Sequence, residues 1–281
     1  MTNYDVYKSL SKDQYPIELE KWYERKTGQV LDLANPKTFN EKLQWLKLND
    51  HTHKRSELSD KFMVRQYIKE KIGDKYLIPM YGHWSTYDDI DFDSLPDRFV
   101  LKTNHGSGTN CLIKDKSKIN HDDLRKKFKV WLGTNYAFTN GFELQYKNIA
   151  PRIIAEQYLD IDNYSTEYTV YCFDGQPKFT QLELERFSDE PTRAIYDNNW
   201  KQLPFCMKYE PVIHDIRKPE NWNEMLILAS RLSTGFRFVR VDFYSIGNQL
   251  FFGELTFTSG SGLSVFIPEQ FNELAGDLIT L

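Results

Sequence analysis

The sequence predicts an α+β protein in which helices come first and short strands follow. Up to about residue 75, apolar and aromatic residues recur at helical intervals, as in the segment YPIELEKWYERKTG. From Tyr76 onward the chain changes to short apolar runs bounded by turn residues, a pattern typical of strands. Turn signals between these runs predict hairpins, so we expect antiparallel strands.

Three helices are expected in the N-terminal part, which we predict to form a helical module over residues 1–75. The first helix ends near Gly28. The second begins after Thr38, an N-cap candidate because Glu41 follows it by three positions. The third covers SELSDKFMVRQYIKEKIG and ends at Gly73.

Three hairpins are expected in the remainder of the chain. The segment LPDRFVLKTNHGSGTNCLIKD predicts two strands joined by a long polar tip that contains glycines. Two further hairpins are expected to turn at Asp174–Gly175 and at Ile246–Gly247–Asn248. Helices are expected after the N-cap candidate Asn120 and in NWNEMLILASRLSTG, which ends at Gly235.

Composition and charge exclude several classes of protein. The 281 residues are 40% hydrophobic and 27% charged, which indicates a folded chain long enough for two lobes. The 36 Lys and Arg against 40 Asp and Glu give a net charge of −4, which argues against a nucleic-acid partner. Cys111, Cys172 and Cys206 lack CxxC spacing, which argues against a disulfide framework and against zinc. No stretch reaches the length of a membrane span, so we expect a cytoplasmic protein without an integral membrane segment.

The strand FVLKT carries Lys102 and opens directly into a loop that contains Gly106 and Gly108. Glycine lets the backbone approach a ligand closely, and successive backbone N–H groups can form an anion-binding concavity. A cation beside such a loop indicates phosphate binding. The alternative is a simple turn, because a loop of Gly, Ser, Thr and Asn also has the composition of one.

Carboxylates on the last hairpin indicate a metal site. Alternation along a strand puts Arg240 and Asp242 on one face, and puts Glu254 and Thr256 on one face of the partner strand. We expect Asp242 and Glu254 to face each other or to lie one diagonal apart, close enough to share Mg²⁺. The alternative is that Arg240 neutralises one carboxylate and that water solvates the other.

The order of these features resembles the ATP-grasp superfamily. The segments SDKFMVRQYI, FVLKTNHGSG, IIAEQYLD, EYTVYCFDGQPKF, VRVDFY and FGELTFTSGSG are similar to the TupA-like ATP-grasp family, named for teichuronopeptide biosynthesis and often found in bacterial surface-polysaccharide gene sets. The resemblance runs from about residue 35 to residue 262. It implies two α/β lobes with antiparallel sheets that grip a nucleotide, a small lobe over 76–160 with a glycine flap and a large lobe over 161–281 with a metal-binding hairpin.

The resemblance implies a phosphate side and an adenine side of the nucleotide site. Lys102 would hold the phosphates together with Lys61, and Lys178 is a weaker candidate; a helix-surface Lys61 and a solvated Lys178 are the alternatives. The glycine flap would close over the phosphates, and the hinge would contact adenine and ribose, with core packing as the alternative for Tyr158. The flap residues are Gly106, Ser107, Gly108, Thr109 and Asn110. The hinge residues are Glu156, Gln157, Tyr158 and Leu159.

The resemblance also implies a metal site and a catalytic arginine. Asp242 and Glu254 would bind Mg²⁺, with Thr256 at the position where the superfamily usually has asparagine. Arg240 would stabilise the transferring phosphoryl group, with Lys102 as its catalytic partner. The SGSG segment at 259–262 is a candidate for binding the anionic group of an acceptor through backbone N–H groups.

The activity implied is that of an ATP- and Mg²⁺-dependent carboxylate–amine ligase that acts through an acyl phosphate. The carboxylate would belong to a uronic acid of a bacterial surface polysaccharide or its precursor, and the amine to an amino acid or another amine. Association with polysaccharide-assembly enzymes is a further expectation. The alternatives are a glycosyltransferase, for which Asp91–Phe92–Asp93 fits the usual DxD pattern, a sugar phosphotransferase and a noncatalytic nucleotide sensor.

Overall fold

The computed structural model describes residues 3–160, 166–184, 192–209 and 216–281. Its helices are α1 (Asn3–Ser9), α2 (Tyr15–Thr27), α3 (Phe39–Asn49), α4 (His53–Ser59), α5 (Val64–Lys71), α6 (His121–Gly133), α7 (Trp222–Ser233) and α8 (Phe271–Asp277). Its strands are β1 (Met80–Trp84), β2 (Phe99–Thr103), β3 (Asn110–Ile113), β4 (Ile153–Gln157), β5 (Thr166–Phe173), β6 (Gln176–Leu184), β7 (Thr192–Asp197), β8 (Cys206–Met207), β9 (Phe238–Ile246), β10 (Gln249–Thr256) and β11 (Phe266–Ile267). The predicted α+β class is therefore confirmed.

The first sheet has the strand order β1-β4-β2-β3, and all its neighbouring strands are antiparallel. The predicted hairpin with a long tip is β2 and β3, in which Lys102 is paired with Asn110. Helix α6 covers one face of the sheet, where Phe128 packs with Phe99. The side chain of Asn120 accepts a hydrogen bond from the backbone of Asp123 and caps α6 as expected.

The second sheet has the order β10-β9-β5-β6-β7 and is also antiparallel. The turns expected at residues 174–175 and 246–248 join β5 to β6 and β9 to β10. Helix α7 packs on one face, where the fully buried Trp222 joins the core around Val170 and Val241. A third, two-stranded sheet pairs β8 with β11.

The N-terminal helices do not form one separate core. Helix α3 places Phe39 and Leu43 against the second sheet, while α4 and α5 add Leu58 and Ile68 to the core of α7. Helices α1 and α2 pack with the segment 137–144. The module 1–75 is therefore divided among three cores. The lobe boundaries stay a prediction, and the one at residue 161 falls outside the described residues.

The single helix expected over residues 56–73 is wrong, because the chain turns at Asp60 between α4 and α5. The Asp60 carboxylate accepts hydrogen bonds from the backbone N–H groups of Phe62 at 2.8 Å and Met63 at 3.3 Å. Aspartate competes in this way with helical hydrogen bonding and begins a new turn. The break brings Lys61 out of helical register and toward the first sheet.

No helix in the described part of the chain has the length and apolarity needed to cross a membrane. The three cysteines are free thiols, as their spacing predicts.

Candidate functional site

A cleft of about 330 Å³ lies between the two sheets. The first sheet contributes Lys102, Glu156 and the glycine loop, and the second contributes Glu167, Tyr244 and Glu254. Ile78, Val100 and Leu159 give part of the wall an apolar surface. The cleft thus combines an apolar wall, cations, carboxylates and a loop with exposed backbone, which suits a phosphorylated ligand with an apolar ring.

Lys61 connects the loop to the last hairpin. Its backbone N–H donates to the carbonyl of Asn104 at 2.9 Å, and its Nζ donates to the carbonyl of Gly106 at 2.6 Å. The same Nζ lies 3.6 Å from Oε2 of Glu254. Burial lowers the pKa of Lys61, and the Glu254 carboxylate opposes this shift only in part. The surface alternative for Lys61 is therefore wrong.

Lys102 forms an ion pair with Glu156, whose side chain is buried. Lys102 Nζ lies 2.5 Å from Oε2 of Glu156, and Arg65 Nη1 donates to Oε1 of the same carboxylate at 3.3 Å. Arg65 also donates to the carbonyl of Ile78 at 2.9 Å. The sequence analysis missed Arg65. A signal was available, because Arg65 follows Lys61 by four residues in SDKFMVRQYI.

The hinge segment is divided between the cleft and the surface. Gln157 and Leu159 line the cleft, and the backbone N–H of Gln157 donates to the carbonyl of Pro79 at 2.9 Å. Tyr158 instead packs against Arg98, whose guanidinium lies 4.5 Å from the centre of the tyrosine ring. The Tyr158 side chain therefore occupies neither the core nor the cleft, which corrects its prediction as a binding side chain.

The glycine loop is held at both ends. The backbone N–H of Thr103 donates to the carbonyl of Thr109 at 3.0 Å, and the two threonine hydroxyls lie 2.6 Å apart. Gly106 has a φ of 106° and packs so closely on Tyr136 that a Cβ atom would lie 2.6 Å from the ring. The tip of the loop, with Ser107 and Gly108, is exposed toward the cleft.

The last hairpin brings its two carboxylates to one guanidinium. Arg240 donates to Asp242 at 2.9 and 2.6 Å and to Oε1 of Glu254 at 3.1 Å. The hydroxyl of Thr256 donates to the same Glu254 oxygen at 3.0 Å. The register of β9 and β10 shifts between Phe252 and Leu255, which adds the extra residue of a bulge next to Glu254. The expected proximity of the two acids is confirmed.

Burial and charge act differently on these two carboxylates. Burial raises the pKa of Asp242, which is 1% exposed; Glu254 and Glu167 act in the same direction, and Arg240 opposes them. Burial also acts to raise the pKa of Glu254, but Lys61 and Arg240 outweigh it and lower that pKa. Glu167 on β5 is a third acid at this cleft that the sequence analysis missed.

These donors fit Mg²⁺ when substrate phosphates complete the coordination. Among the described residues, no group of three or more His, Cys, Asp or Glu side chains could hold a metal by itself. Asp242 and Glu254 supply hard oxygen donors beside the Thr256 hydroxyl. Mg²⁺ is usually held by one or two carboxylates together with phosphate oxygens and water, which is the donor set that this cleft offers.

Lys178 is not brought to this cleft. It lies on β6, two strands away from β9, and its side chain is exposed. The solvated-lysine alternative is therefore the one that the geometry supports, and the prediction of Lys178 as a phosphate ligand is corrected.

The SGSG turn follows the carboxylate hairpin directly. Gly260, Ser261 and Gly262 all have a positive φ, between 55° and 64°. The buried Lys47 donates to the carbonyl of Ser261 at 2.8 Å, and Gln44 donates to the carbonyl of Gly262 at 2.8 Å. Two side chains of helix α3 therefore hold the conformation of this turn.

The model of the family described as TupA-like ATPgrasp matches residues 41–280. The chain belongs to the TupA-like ATP-grasp family. The resemblance inferred from the motifs is thus confirmed, and with it the ATP-grasp fold. A search of curated proteins found no match.

Solved structures of ATP-grasp proteins are similar to this chain at low identity. The D-alanine–D-alanine ligase from Bacillus anthracis complexed with ATP is 15% identical, with a TM-score of 0.46, over 79% of this chain and 63% of the ligase. The D-alanine–D-alanine ligase from Helicobacter pylori is 14% identical, with a TM-score of 0.41, over 80% and 61%. A RimK domain protein ATP-grasp from Sphaerobacter thermophilus is 13% identical, with a TM-score of 0.44, over 80% and 69%. The chain thus spans less than two thirds of both D-alanine–D-alanine ligases, and the family assignment rests on the family model.

Proposed function

We propose that this protein is an ATP- and Mg²⁺-dependent ligase that joins a carboxylate to an amine through an acyl phosphate. The observation that carries the proposal is the set of charges around one cleft. Lys61, Lys102 and Glu254 line the cleft, and Lys61 reaches both the glycine loop and Glu254. Behind Glu254, Arg240 joins it to the buried Asp242. Such preorganised charges stabilise a phosphoryl group in transfer.

The cations would bind the phosphates, and the hinge would position the base. Lys61 and Lys102 neutralise phosphate charge, while backbone N–H groups of residues 106–110 close over it. The apolar wall next to the hinge accommodates the adenine ring, and the backbone of Gln157 and Leu159 contacts its edge. Asp242 and Glu254, with the hydroxyl of Thr256, would hold Mg²⁺. When bound, Mg²⁺ supplies neutralisation of the charge on the phosphate oxygens.

The chemistry has two steps. A carboxylate oxygen of the acceptor attacks the γ-phosphorus of ATP, the bond to the bridging oxygen breaks, and ADP leaves. The amine then attacks the carbonyl carbon of the acyl phosphate, phosphate leaves with the bonding electrons, and the nitrogen loses a proton. Arg240 stabilises the phosphoryl oxygens through both steps. The closed glycine loop excludes water, which would otherwise hydrolyse the anhydride.

We further propose that the carboxylate belongs to a uronic acid of a bacterial surface polysaccharide or its precursor. The amine belongs to an amino acid or another amine. The family supports this substrate class, because it is named for teichuronopeptide biosynthesis. The use of ATP and of sugar precursors favours action in the cytoplasm, next to the enzymes that assemble the polysaccharide.

Phosphate release from ATP and Mg²⁺ tests the proposal. The reactions contain pooled amino acids, with and without glucuronate or galacturonate, and compare the wild type with Asp242→Asn and Lys102→Ala. We expect release only when the amine and the uronate are both present. Each substitution should lower the rate by about 10²-fold or more, since each removes a charge at the reacting phosphate. Lys201→Ala, an exposed lysine outside the cleft, is the matched control and should retain the wild-type rate.

Other outcomes contradict the proposal in distinct ways. Transfer of labelled phosphate to the sugar without an amine would make the protein a sugar phosphotransferase. Turnover of a nucleotide sugar instead of ATP would make it a glycosyltransferase. ATP binding without turnover in any pool would make it a nucleotide sensor.

A further inference from the structure

A second and larger cleft lies on the other side of the Asp60–Lys61 peptide. Its volume is about 940 Å³, which falls within the range of small-molecule sites. Asp60 lines this cleft, whereas Lys61 lines the catalytic cleft. The wall includes parts of α2, α3 and α4 and the segment 144–152. No step of the proposed reaction uses it.

Three cations and the half-buried Trp45 line this cleft, which we call the basic cleft. Its defining residues are Lys12, Tyr15, Trp45, His51, Lys147 and Arg152. Among the described residues, Lys12, Lys147 and Arg152 form no ion pair with a carboxylate. Burial lowers the pKa of His51, and Lys12 and Lys147 act in the same direction, while the backbone of Leu48 and the Asp50 carboxylate oppose this shift. The three cations Lys12, Lys147 and Arg152 outnumber the two acids of the lining, which favours an anionic ligand.

The two acids of the basic cleft, Glu57 and Asp60, leave one cation in excess. Asp60 already accepts hydrogen bonds from two backbone N–H groups, and Glu57 lies 3.6 Å from His53. Lys147 donates to the hydroxyl of Tyr15 at 3.1 Å, so its ammonium is held next to the aromatic ring. Tyr15 itself is only 4% exposed, so the ring that the cleft offers to a ligand is the half-buried Trp45.

The remaining lining suits sugar hydroxyls. Asn49, Asn148 and Ser56 add amide and hydroxyl groups to the wall. The Trp45 ring can pack against the C–H face of a sugar ring, the polar groups can bond to its hydroxyls, and the cations can bind its carboxylate. A lone phosphate would use the cations only, and a neutral sugar would leave them unpaired.

We propose that the basic cleft binds an acidic oligosaccharide as a second site, apart from the catalytic cleft. The ligand class rests on the proposed function, in which the substrate is a uronate of a polysaccharide. Holding the chain at a second site raises the effective concentration of its carboxylates near the catalytic cleft. Such a site favours polymers over single sugars.

Calorimetric titration of the full chain with trigalacturonate, without ATP, tests this site. Maltotriose is the neutral comparison, and inorganic phosphate is the simple anion. The variant Lys12→Gln/Lys147→Gln removes two charges, and Lys12→Arg/Lys147→Arg keeps them. Lys126→Gln, an exposed lysine on α6, is the surface control. Circular dichroism checks that each variant is folded.

We expect trigalacturonate to bind at least about tenfold more tightly than maltotriose or phosphate, and more weakly as salt increases. The glutamine variant should lose roughly tenfold in affinity, while the arginine variant and Lys126→Gln stay within about threefold of the wild type. Equal binding of maltotriose, equal binding of phosphate, or unchanged affinity of the glutamine variant would each overturn the proposal.

The same titration on Lys102→Ala separates this proposal from the proposed function. Binding at the basic cleft should survive that substitution, because Lys102 lies in the other cleft. Ligase activity without trigalacturonate binding overturns the second site alone. Binding without any ligase activity overturns the proposed reaction and leaves the site standing.

Discussion

His105 is a buried histidine that supports the glycine loop. Its Nδ1 lies 3.2 Å from Oδ1 of Asn104, and its Nε2 lies 3.2 Å from the carbonyl of Thr134. Asn104 in turn donates to the carbonyl of Ala150. The side chain is 3% exposed, and the neutral ring, which has one N–H, donates to one of these two oxygens. This geometry agrees with a conformational role for His105, not with that of a catalytic base.

The stability of the protein should depend on the protonation of His105. Burial lowers the pKa of His105 in the folded state below its ordinary value of 6.5, and this effect outweighs the carbonyl of Thr134. The unfolded chain therefore binds more protons than the folded one as the pH falls below about 6.5. The free energy of unfolding should decrease in that window. It should decrease less in His105→Gln.

Urea unfolding at pH 8.0 and pH 5.5 measures this difference. The comparison is the change between the two pH values within each protein, so the direct cost of the substitution cancels. His53→Gln is the control, because the His53 side chain is 88% exposed. An equal loss of stability in the wild type and His105→Gln would contradict the assignment of a neutral, buried His105.

Single residues of the site differ in whether the sequence alone could predict their position. Asp242 and Glu254 were predictable because alternation along a strand fixes which side chains share a face. The role of Glu167 was not predictable, because it depends on which strand lies next to β9. Lys178 was misassigned for a related reason, since a hairpin lysine does not indicate its distance from another strand.

At the scale of elements, the two glycines of the glycine loop differ in how closely their neighbours pack. Gly106 has a φ of 106°, and an added Cβ would contact the ring of Tyr136 at 2.6 Å. Gly108 has a φ of 73°, and nothing lies within 4 Å of an added Cβ. The two positions share a positive φ but differ in packing.

Alanine substitutions should therefore have unequal costs. Gly108→Ala should lower the free energy of unfolding by about 1–2 kcal/mol, from the left-handed backbone alone. Gly106→Ala should add roughly 1–3 kcal/mol from the clash with Tyr136, and should raise the KM for ATP because the loop shifts. Urea unfolding and steady-state kinetics measure both effects. Similar costs at the two glycines would show that Tyr136 does not fix the loop.

Elements with strong local signals were predicted well, and the break between α4 and α5 was not. Thr38 and Glu41 form the expected capping box of α3. The turn at Asp60 depends on the bond from the backbone of Lys61 to Asn104, which is 43 residues away in the chain. Helical periodicity continues across this turn in sequence, so only the tertiary contact reveals the break.

At the scale of the molecule, the helices at the N-terminus connect cores that the sequence predicted as separate lobes. Phe39 of α3 packs with Phe173 and Phe238 of the second sheet, and Tyr15 of α2 packs with Phe142. Composition and periodicity show that these helices are amphipathic, but not which surface each of them covers. The topology came from recognising the family motifs, and the distribution of cores came only from the structure.

Close packing of α8 on the N-terminal helices should make the described cores unfold together. A Cβ added at Gly276 would lie 2.2 Å from the carbonyl of Lys37 and 2.8 Å from the backbone nitrogen of Phe39. Gly276→Ala should therefore cost about 1–3 kcal/mol by overpacking, whereas Gly133→Ala, with open space around it, is the control. Thermal unfolding followed by tryptophan fluorescence and by far-ultraviolet circular dichroism should show one transition that shifts as a unit. An early, separate transition of the helical signal in Gly276→Ala would show instead that the N-terminal helices fold independently of the two sheets.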